Sequence, residues 1–277
     1  MKKNTNTAKK NINEITEQLK TGVKDIMESE RYREYLDFMG KFTDYSFNNT
    51  VLIFLQKPDA TLVAGYKSWQ QKGRQVRKGE KGIKIIAPSR YEREEITTKD
   101  GEQTIMKIPY YTFHAVTVFD ISQTEGEDIP SDPVKLLSGN VDGYDELIKR
   151  LESVSPVPVL YESFDSEANG YYSNSLKQIV VKTGLSELQT VKTLTHEIAH
   201  ATLHTDGDKT DRGTKEVQAE SVAYTVCSML GLDASDYSFG YIAGWSSGKE
   251  LKELAESMDV IRSIAKQIVT KIEQAIV

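Results

Sequence analysis

Two histidines four residues apart constrain the fold of this chain more than any other feature. The stretch 195–200 reads Thr-His-Glu-Ile-Ala-His, which places His196 and His200 at i and i+4. On an α-helix these positions share one face, so both imidazoles can bind one metal ion. The flanking residues have the apolar spacing of a packed helix, at Val191, Leu194, Ile198, Ala199 and Leu203. The sequence therefore predicts a buried helix that carries a metal-binding pair.

Glu197 follows the first histidine on the same predicted turn. In a hydrolytic zinc site the ion lowers the pKa of a water molecule towards about 7, and a neighbouring carboxylate accepts its proton. Two surface histidines on a helix are the alternative interpretation, but three of the four histidines in the chain fall within residues 196–204. We therefore predict a Zn²⁺ cofactor bound by His196 and His200, with Glu197 as the general base. His204, one turn further on, is expected to be a partly exposed surface residue.

A catalytic zinc ion usually has three protein ligands and one open position. Glu216 and Glu220, at i and i+4 near the start of the next predicted helix, are the candidates for the third ligand. We predict that Glu216 binds the ion and that Glu220 supports a ligand histidine through a hydrogen bond, with the reverse assignment as the alternative. Asp206 is a rival because it lies six residues after His200, where the metzincin pattern has its third ligand. The glycine that this pattern has at position 203 is replaced here by Leu203.

Length and charge distribution both predict two domains in these 277 residues. Residues 1–122 contain 21 Lys and Arg against 16 Asp and Glu, whereas residues 123–277 contain 14 against 25. The change of sign coincides with a Ser-, Gly-, Pro- and acid-rich stretch without periodicity. We predict an N-terminal domain at 1–125, a linker at 126–140 and a C-terminal domain at 141–277. The negative charge of the C-terminal domain disfavours nucleic acid as its ligand, whereas the basic N-terminal domain leaves nucleic acid open as a ligand.

Hydrophobic periodicity predicts an α+β fold. Apolar residues spaced by three and four predict one or two helices over residues 10–40, and further helices near 66–72, 144–151, 186–204, 214–230 and 248–275. Residues rich in β-branched and aromatic side chains predict strands at 84–88, 104–108, 111–119 and 157–161, and a hairpin over 170–181.

No stretch of the sequence resembles a membrane span or a secretory signal. The opening MKKNTNTAKKNINEITEQL is polar where a signal would need about 7–15 apolar residues. The apolar run at 51–55 is far shorter than the roughly 20 residues that cross a bilayer. The single cysteine, Cys227, lies in an apolar-periodic stretch and cannot form an internal disulfide. We expect a cytoplasmic protein with a buried thiol and no membrane partner.

A basic, glycine-rich segment at residues 67–84 is the candidate nucleic-acid surface. It holds seven Lys and Arg residues against one acidic residue, Glu80, and aromatic side chains flank it. Such a segment can approach a phosphate backbone, and unpaired bases stack on aromatic side chains for about 1–3 kcal/mol each. A solvated basic turn beside core aromatics is the alternative. The candidate contacts are Lys67, Trp69, Lys72, Arg74, Arg77, Lys78, Lys81 and Lys84.

The stretches HEIAHATLH and EVQAESVAYTVCSMLGLD resemble ImmA/IrrE-like and ArdC-type metallopeptidases, in which HExxH is followed by E-x-x-A on the next helix. The N-terminal stretches YSFNN, AGYKSW and GRQVRKGEKG are similar to those of ArdC-type antirestriction proteins of plasmids and other mobile elements. The resemblance spans roughly residues 10–245. It implies a small α+β domain that binds single-stranded DNA, joined to a zincin-like (gluzincin) metallopeptidase domain.

Three functions follow from these features. The resemblance implies protection of the single-stranded DNA of an incoming mobile element from host restriction. The alternative from another class is an active regulatory zinc endopeptidase that cleaves a specific host or element protein. The third is a DNA-binding protein whose zinc is structural. Spacing does not identify the group that would stabilise an oxyanion, for which the candidates are Tyr171, Tyr172, Tyr224 and Tyr241.

Overall fold

The structure is a computed structural model that describes most of the chain. It describes residues 2–99, 102–129, 143–234, 237 and 239–274, without the side chains of 2–12, 29, 94–99 and 102–105. Contacts divide the chain into two compact units, Met1–Gly22 with Val51–Asp128 and Val23–Thr50 with Ile129–Val277. Most of the predicted linker lies outside the described residues. Residues 23–50, which were expected in the N-terminal domain, belong to the second unit, and the predicted domain limits stay a prediction.

The first unit combines short helices with a long β-ribbon. Along the chain its elements are α1 (Lys2–Ile26, which continues into the second unit), the end of α3 (Phe47–Gln56), β1 (Val63–Gly65), α4 (Tyr66–Gln71), β2 (Arg74–Val76), β3 (Ile83–Lys99), β4 (Glu102–Asp120), a 3₁₀ turn (Ile121–Gln123) and β5 (Thr124–Gly126). One antiparallel sheet has the order β1-β4-β3, and β2 pairs with β5 in a second. The predicted mixture of helices and strands is confirmed.

The ribbon of β3 and β4 is longer than the sequence predicts. Its register runs without a break from Ile83 opposite Val118 to Lys99 opposite Glu102. The separate strands expected at 104–108 and 111–119 are one strand that continues through Pro109. Strand β1 pairs with β4 only at Val118–Asp120, so most of the ribbon has two strands. Proline is tolerated in such an edge strand because its missing N–H can face away from the partner strand.

The second unit holds the predicted metal helix. Its elements are α2 (Ser29–Lys41), the start of α3, α5 (Tyr144–Val154), β6 (Val159–Glu162), β7 (Gly170–Ser173), β8 (Gln178–Lys182), α6 (Glu187–Leu203), α7 (Arg212–Met229), α8 (Ile242–Ser246) and α9 (Leu251–Gln274). The sheet order is β6-β8-β7, with β6 parallel and β7 antiparallel to β8. The helices α6, α7 and α9 confirm the periodicity-based predictions to within a few residues.

Helices α6 and α7 pack together in the apolar core of the second unit. Strand β8 is central, and its Ile179, Val180 and Val181 are fully buried. Helix α6 contacts β7 and β8, and α7 packs on α6, α9 and α2. Cys227 on α7 is buried, as predicted. Within the described residues, no helix combines the length and the apolar character needed to cross a lipid bilayer.

Candidate metal centre

Two capped helices bring the predicted ligands together. Helix α6 begins after Ser186, whose hydroxyl accepts from the amide of Gln189, and α7 begins after Asp211, whose carboxylate accepts from the amide of Thr214. Such side-chain caps satisfy backbone donors that a helix leaves unpaired at its start. They define where each helix starts. The histidine pair of α6 then faces the first turns of α7, which packs against it.

His196, His200 and Glu216 form a compact cluster of ligand atoms. The Nε2 atoms of the two histidines are 3.0 Å apart, and Oε2 of Glu216 lies 3.7 Å from the first and 3.6 Å from the second. Ligand atoms bound tetrahedrally to one zinc ion at about 2.0–2.1 Å are roughly 3.3 Å apart. The three side chains therefore fit a single divalent metal ion with shifts of a few tenths of an ångström. Among the described residues, their ligand atoms all lie within 4.8 Å of one another.

Glu220 lies behind the cluster rather than in it. Its Oε2 atom is 3.1 Å from Nδ1 of His196, on the side of the ring away from His200. A ligand histidine is oriented by such a carboxylate on its second nitrogen. Asp206, the rival third ligand, instead pairs with Nζ of Lys177 at 2.7 Å and is largely exposed, so this alternative is wrong. The geometry agrees with Glu216 as ligand and Glu220 as support, which stays a prediction.

Replacing Glu220 with alanine is expected to lower the affinity for metal by about 10–100-fold, because His196 loses the group that orients it. The loss should be smaller than that caused by Glu216→Ala. Competition against a chromogenic chelator measures both affinities. If Glu220→Ala is the more damaging change, the two glutamates have the reverse roles.

The carboxylates around His196 stabilise positive charge at the cluster. Burial disfavours the protonated imidazole, but hydrogen bonds to Glu216 and Glu220 outweigh it and raise the pKa of His196 to about 10. Hydrogen bonds with His196 and His200 hold the pKa of Glu216 far below its usual range. The cluster therefore favours a cation among these side chains, and a divalent metal ion can replace the proton there.

Glu197 has the surroundings of a general base. Its side chain is buried, and burial raises the pKa of its carboxyl. The backbone amide of Tyr172 on β7 hydrogen-bonds to it. Strand β7 approaches α6 closely at Gly170, where an added Cβ would lie 2.6 Å from Cγ2 of Thr193. Glycine at this position therefore keeps the strand against the metal helix.

A cavity of about 370 Å³ opens beside Glu197. Its wall includes Lys192, His196, Glu220 and Tyr237. Nζ of Lys192 lies 4.8 Å from the ring centroid of Tyr237, and Lys192 is buried although lysine is rarely so. The sequence did not single out either residue. Lys192 could have been noticed in the sequence, because it lies four residues before His196 and therefore on the same face of the helix.

None of the tyrosines considered for oxyanion stabilisation lines this cavity. Tyr224 donates to Asp37 at 2.9 Å, and Tyr172 donates to Asn174 at 3.0 Å. Tyr171 packs edge-on against Phe164 and is exposed. Tyr241 is also exposed and lies beside Glu216 in a different depression. Lys192, which carries a positive charge, is among the residues that line this cavity.

His204 is buried, contrary to the expectation of an exposed residue. Its Nδ1 lies 2.9 Å from Nδ1 of His200, its Nε2 lies 3.0 Å from Oε1 of Gln218, and Nε2 of Gln218 donates to Oγ of Ser257 at 2.9 Å. If Nε2 of His200 binds metal, its Nδ1 carries the proton and donates to His204. This chain of hydrogen bonds then fixes the tautomer and the orientation of His200.

We expect His204→Phe to lower metal affinity by about tenfold or more, because Nδ1 of His200 loses its acceptor inside the protein. His204→Asn should lose less, since its side-chain oxygen can accept the same hydrogen bond. Isothermal titration with the metal ion compares the two variants. Equal affinities for His204→Phe and the wild-type chain would contradict the orienting role.

The predicted nucleic-acid residues divide into structural and exposed groups. Trp69 is fully buried and donates from Nε1 to the carbonyl of Phe119 at 2.8 Å, so its prediction as a DNA contact is wrong. Arg74 and Arg77 donate to backbone carbonyls between residues 122 and 127, which ties the segment to β5. Lys84 donates to the hydroxyl of Thr117. Five lysines of the segment are exposed, namely Lys67, Lys72, Lys78, Lys81 and Lys84.

Comparisons with known proteins identify both halves of the chain. Residues 5–119 match the family described as the N-terminal domain of anti-restriction factor ArdC. Residues 153–228 match Peptidase_M78, the IrrE N-terminal-like domain, and this range includes the histidine pair and both glutamates of α7. Fold and site together define a two-domain protein with a metallopeptidase-like C-terminal domain. The chain therefore combines an ArdC-type N-terminal domain with an IrrE-like domain.

Similar proteins cover most of the chain. An uncharacterized protein of Bacillus anthracis, pXO2-81, is 28% identical over 327 aligned positions, which include 98% of this chain and 55% of the relative. The chain thus spans about half the length of that relative. The metal-free crystal structure of antirestriction ArdC from the R388 plasmid has a TM-score of 0.54 at 21% identity, covering 83% of this chain and 86% of that one. Its Mn(II)-bound structure has a TM-score of 0.51 at 22% identity, covering 83% and 84%.

Proposed function

We propose that this chain is an antirestriction-type protein of a mobile element, which binds single-stranded DNA through its first unit and holds a zinc ion in its second. The observation that carries the proposal is the His196, His200 and Glu216 cluster in a chain whose other half matches an ArdC N-terminal domain. Charge supports this division of roles. The first unit has 17 Lys and Arg against 13 Asp and Glu, whereas the second has 18 against 28.

Zinc is the proposed metal because two imidazoles and one carboxylate are a common catalytic zinc set. The R388 relative was crystallised with Mn(II), an ion that prefers oxygen ligands. Metal analysis of the purified chain by mass spectrometry tests the assignment. When bound, the ion would act as a Lewis acid and make a neighbouring water more acidic.

Glu197 would accept the proton of the attacking water and then pass it to the leaving amine. Its raised pKa makes it a better base than an exposed carboxylate, and the amide of Tyr172 holds the side chain in place. Lys192 lines the same cavity, with its Nζ 4.8 Å from the ring centroid of Tyr237, and its charge can stabilise negative charge that develops on a substrate carbonyl oxygen. These residues supply a base and an electrophilic group on one cavity.

A regulatory endopeptidase is the second candidate function. The cavity beside Glu197 favours it, because a purely structural metal site needs no such opening. Strand β7 is an edge strand next to the cavity, so an extended peptide could pair with it. In this function DNA binding would direct the enzyme to its protein substrate. Both functions place the protein in the cytoplasm, where restriction occurs.

Glu197→Gln separates the two functions. The substitution removes the base but keeps the size and polarity of the side chain. Metal and DNA binding should therefore match the wild-type chain, while any peptide hydrolysis falls by about 100-fold or more. Protection of incoming DNA from a restriction enzyme in cells is then measured with both proteins.

The protection assay has two informative outcomes. Full protection by the Glu197→Gln variant supports a DNA-binding antirestriction role that does not need hydrolysis. Loss of protection by a variant that still binds metal and DNA supports the endopeptidase. If the wild-type chain neither protects DNA nor binds a single strand, the antirestriction proposal is wrong.

A further inference from the structure

The β3–β4 ribbon of the first unit carries a concentration of large exposed side chains. The exposed fractions are 50% for Tyr91, 53% for Met106, 42% for Tyr110, 59% for Tyr111 and 63% for Phe113. Single exposed apolar residues are ordinary, but a contiguous group marks an interaction surface. The sequence placed the nucleic-acid contacts in the segment 67–84, which ends where this ribbon begins.

The strand register sorts the aromatic side chains onto two faces. Cross-strand partners share a face, and neighbours along a strand alternate between faces. Tyr111 is opposite Arg90 and Phe113 is opposite Pro88, so these four residues define one face, called here the Tyr111 face. Tyr91 is opposite Tyr110 on the other face, where the two rings stack with centroids 5.5 Å apart. The rings of the Tyr111 face are the more exposed.

Charge on the Tyr111 face suits a polyanion. The alternation that places Arg90 there also places Lys84 and Lys107 on it, together with Glu92 and Glu94, so cations outnumber carboxylates by three to two. Arg90 approaches Glu92 only to 3.9 Å, and both side chains are more than half exposed. An exposed ion pair of this kind contributes little, so a phosphate can replace the carboxylate as the partner of Arg90. The Tyr111 face therefore presents exposed aromatic rings next to cationic side chains.

Ring spacing favours a single strand over a duplex. Tyr111 and Phe113 are two residues apart on one strand, which separates them by about 7 Å. Stacked bases in a duplex strand are about 3.4 Å apart and are covered by their neighbours. Two successive bases can therefore stack on both rings only when the strand is unpaired and extended.

We propose that the Tyr111 face is the single-stranded DNA site of the first unit, with Tyr111 and Phe113 stacking on successive bases and Arg90 contacting the phosphate backbone. The proposal rests on the proposed single-strand binding and assigns it a surface. With the site on the ribbon, Trp69, Arg74 and Arg77 can make internal hydrogen bonds without loss of DNA contacts. Trp69 bonds to the carbonyl of Phe119 on β4, and the two arginines bond to carbonyls between residues 122 and 127.

Fluorescence anisotropy of a labelled oligothymidylate tests the site with the full chain. In Tyr111→Thr/Phe113→Thr the new residues keep β-propensity, so the ribbon should stay folded. The dissociation constant of this variant is expected to rise at least about tenfold at fixed salt. The matched control, Tyr91→Thr/Tyr110→Thr, removes two tyrosines from the opposite face and should leave binding unchanged.

The salt dependence of the DNA affinity separates the contribution of base stacking from that of phosphate contacts. The Tyr111→Thr/Phe113→Thr variant should keep the wild-type slope of log affinity against log salt concentration, because no phosphate contact is lost. Arg90→Gln should reduce the magnitude of that slope by about 0.7, the value for one phosphate contact with a single strand. Circular dichroism verifies that each variant is folded.

The results distinguish failure of this site from failure of the proposed function. A wild-type chain that does not bind the oligonucleotide overturns both. Wild-type binding that Tyr111→Thr/Phe113→Thr leaves intact overturns the site alone, as does an equal loss in the opposite-face control. If the Tyr111 face instead binds a second copy of the chain, size-exclusion chromatography will show a dimer that the variant abolishes without any change in DNA affinity, which also overturns the site.

Discussion

The Glu216→Ala variant is expected to bind a divalent metal more than about 100-fold more weakly than the wild-type chain. Its carboxylate completes the triangle with the Nε2 atoms of His196 and His200 at 3.6–3.7 Å. Loss of an orienting group beyond the ligands already costs about 10–100-fold, and loss of a ligand should cost more. Two histidines alone also leave His196 without one of the two carboxylates that stabilise positive charge there.

Metal affinity and thermal stability both report this change. At a free metal concentration about 1,000 times the dissociation constant, binding adds about 4 kcal/mol to the free energy of unfolding. That gain should fall to about 1.4 kcal/mol or less in Glu216→Ala at the same concentration, and a chelator should remove it from the wild-type chain. Glu187→Ala, at an exposed carboxylate in the first turn of α6, is the matched control. Unchanged affinity in Glu216→Ala would mean that another residue is the third ligand.

Local spacing was sufficient to predict the ligand cluster. An i and i+4 pair on an apolar-periodic helix requires only that the helix forms, and α6 does form over Glu187–Leu203. Glu216 could be proposed because α7 follows α6 closely and its first turns carry two carboxylates. The cluster of His196, His200 and Glu216 therefore follows from two helices and a short connection.

The second layer of the site depends on packing between distant segments. His204 is buried because Gln218 of α7 and Ser257 of α9 complete its hydrogen bonds. Tyr237 reaches Lys192 from a segment more than 40 residues further along the chain. Neither contact leaves a periodic signal in the sequence. For the same reason the sequence offered four tyrosines as oxyanion candidates and did not single out Lys192, which lines the cavity beside Glu197.

Composition misled the prediction for the basic segment. Trp69, Arg74 and Arg77 have the residue types of a DNA surface, but all three make internal hydrogen bonds to backbone carbonyls. Guanidinium groups carry several donors in a fixed geometry, which suits them to binding backbone oxygens as well as phosphate. The ribbon is longer than predicted because its register continues through Pro109, between the strands predicted at 104–108 and 111–119. Its exposed aromatic residues resemble core positions when only the sequence is considered.

Replacing Trp69 with alanine should destabilise the first unit by about 3–5 kcal/mol, a large fraction of the stability of a typical domain. The indole is fully buried, and its Nε1–H is paired with the carbonyl of Phe119. Truncation leaves a cavity and an unpaired acceptor together. Urea denaturation followed by far-UV circular dichroism should show an early transition. The fluorescence of Trp245, the other tryptophan and a residue of the second unit, reports that unit separately.

Trp69→Phe separates a core role from a DNA contact. It keeps most of the aromatic volume and loses the N–H, so the expected loss of stability is about 1–3 kcal/mol. At a temperature where the variant is folded, its affinity for single-stranded DNA should equal that of the wild-type chain, because a buried ring cannot stack on a base. A folded Trp69→Phe variant with weakened DNA binding would restore Trp69 as a contact residue. It would also return the DNA site to the segment 67–84 and away from the ribbon.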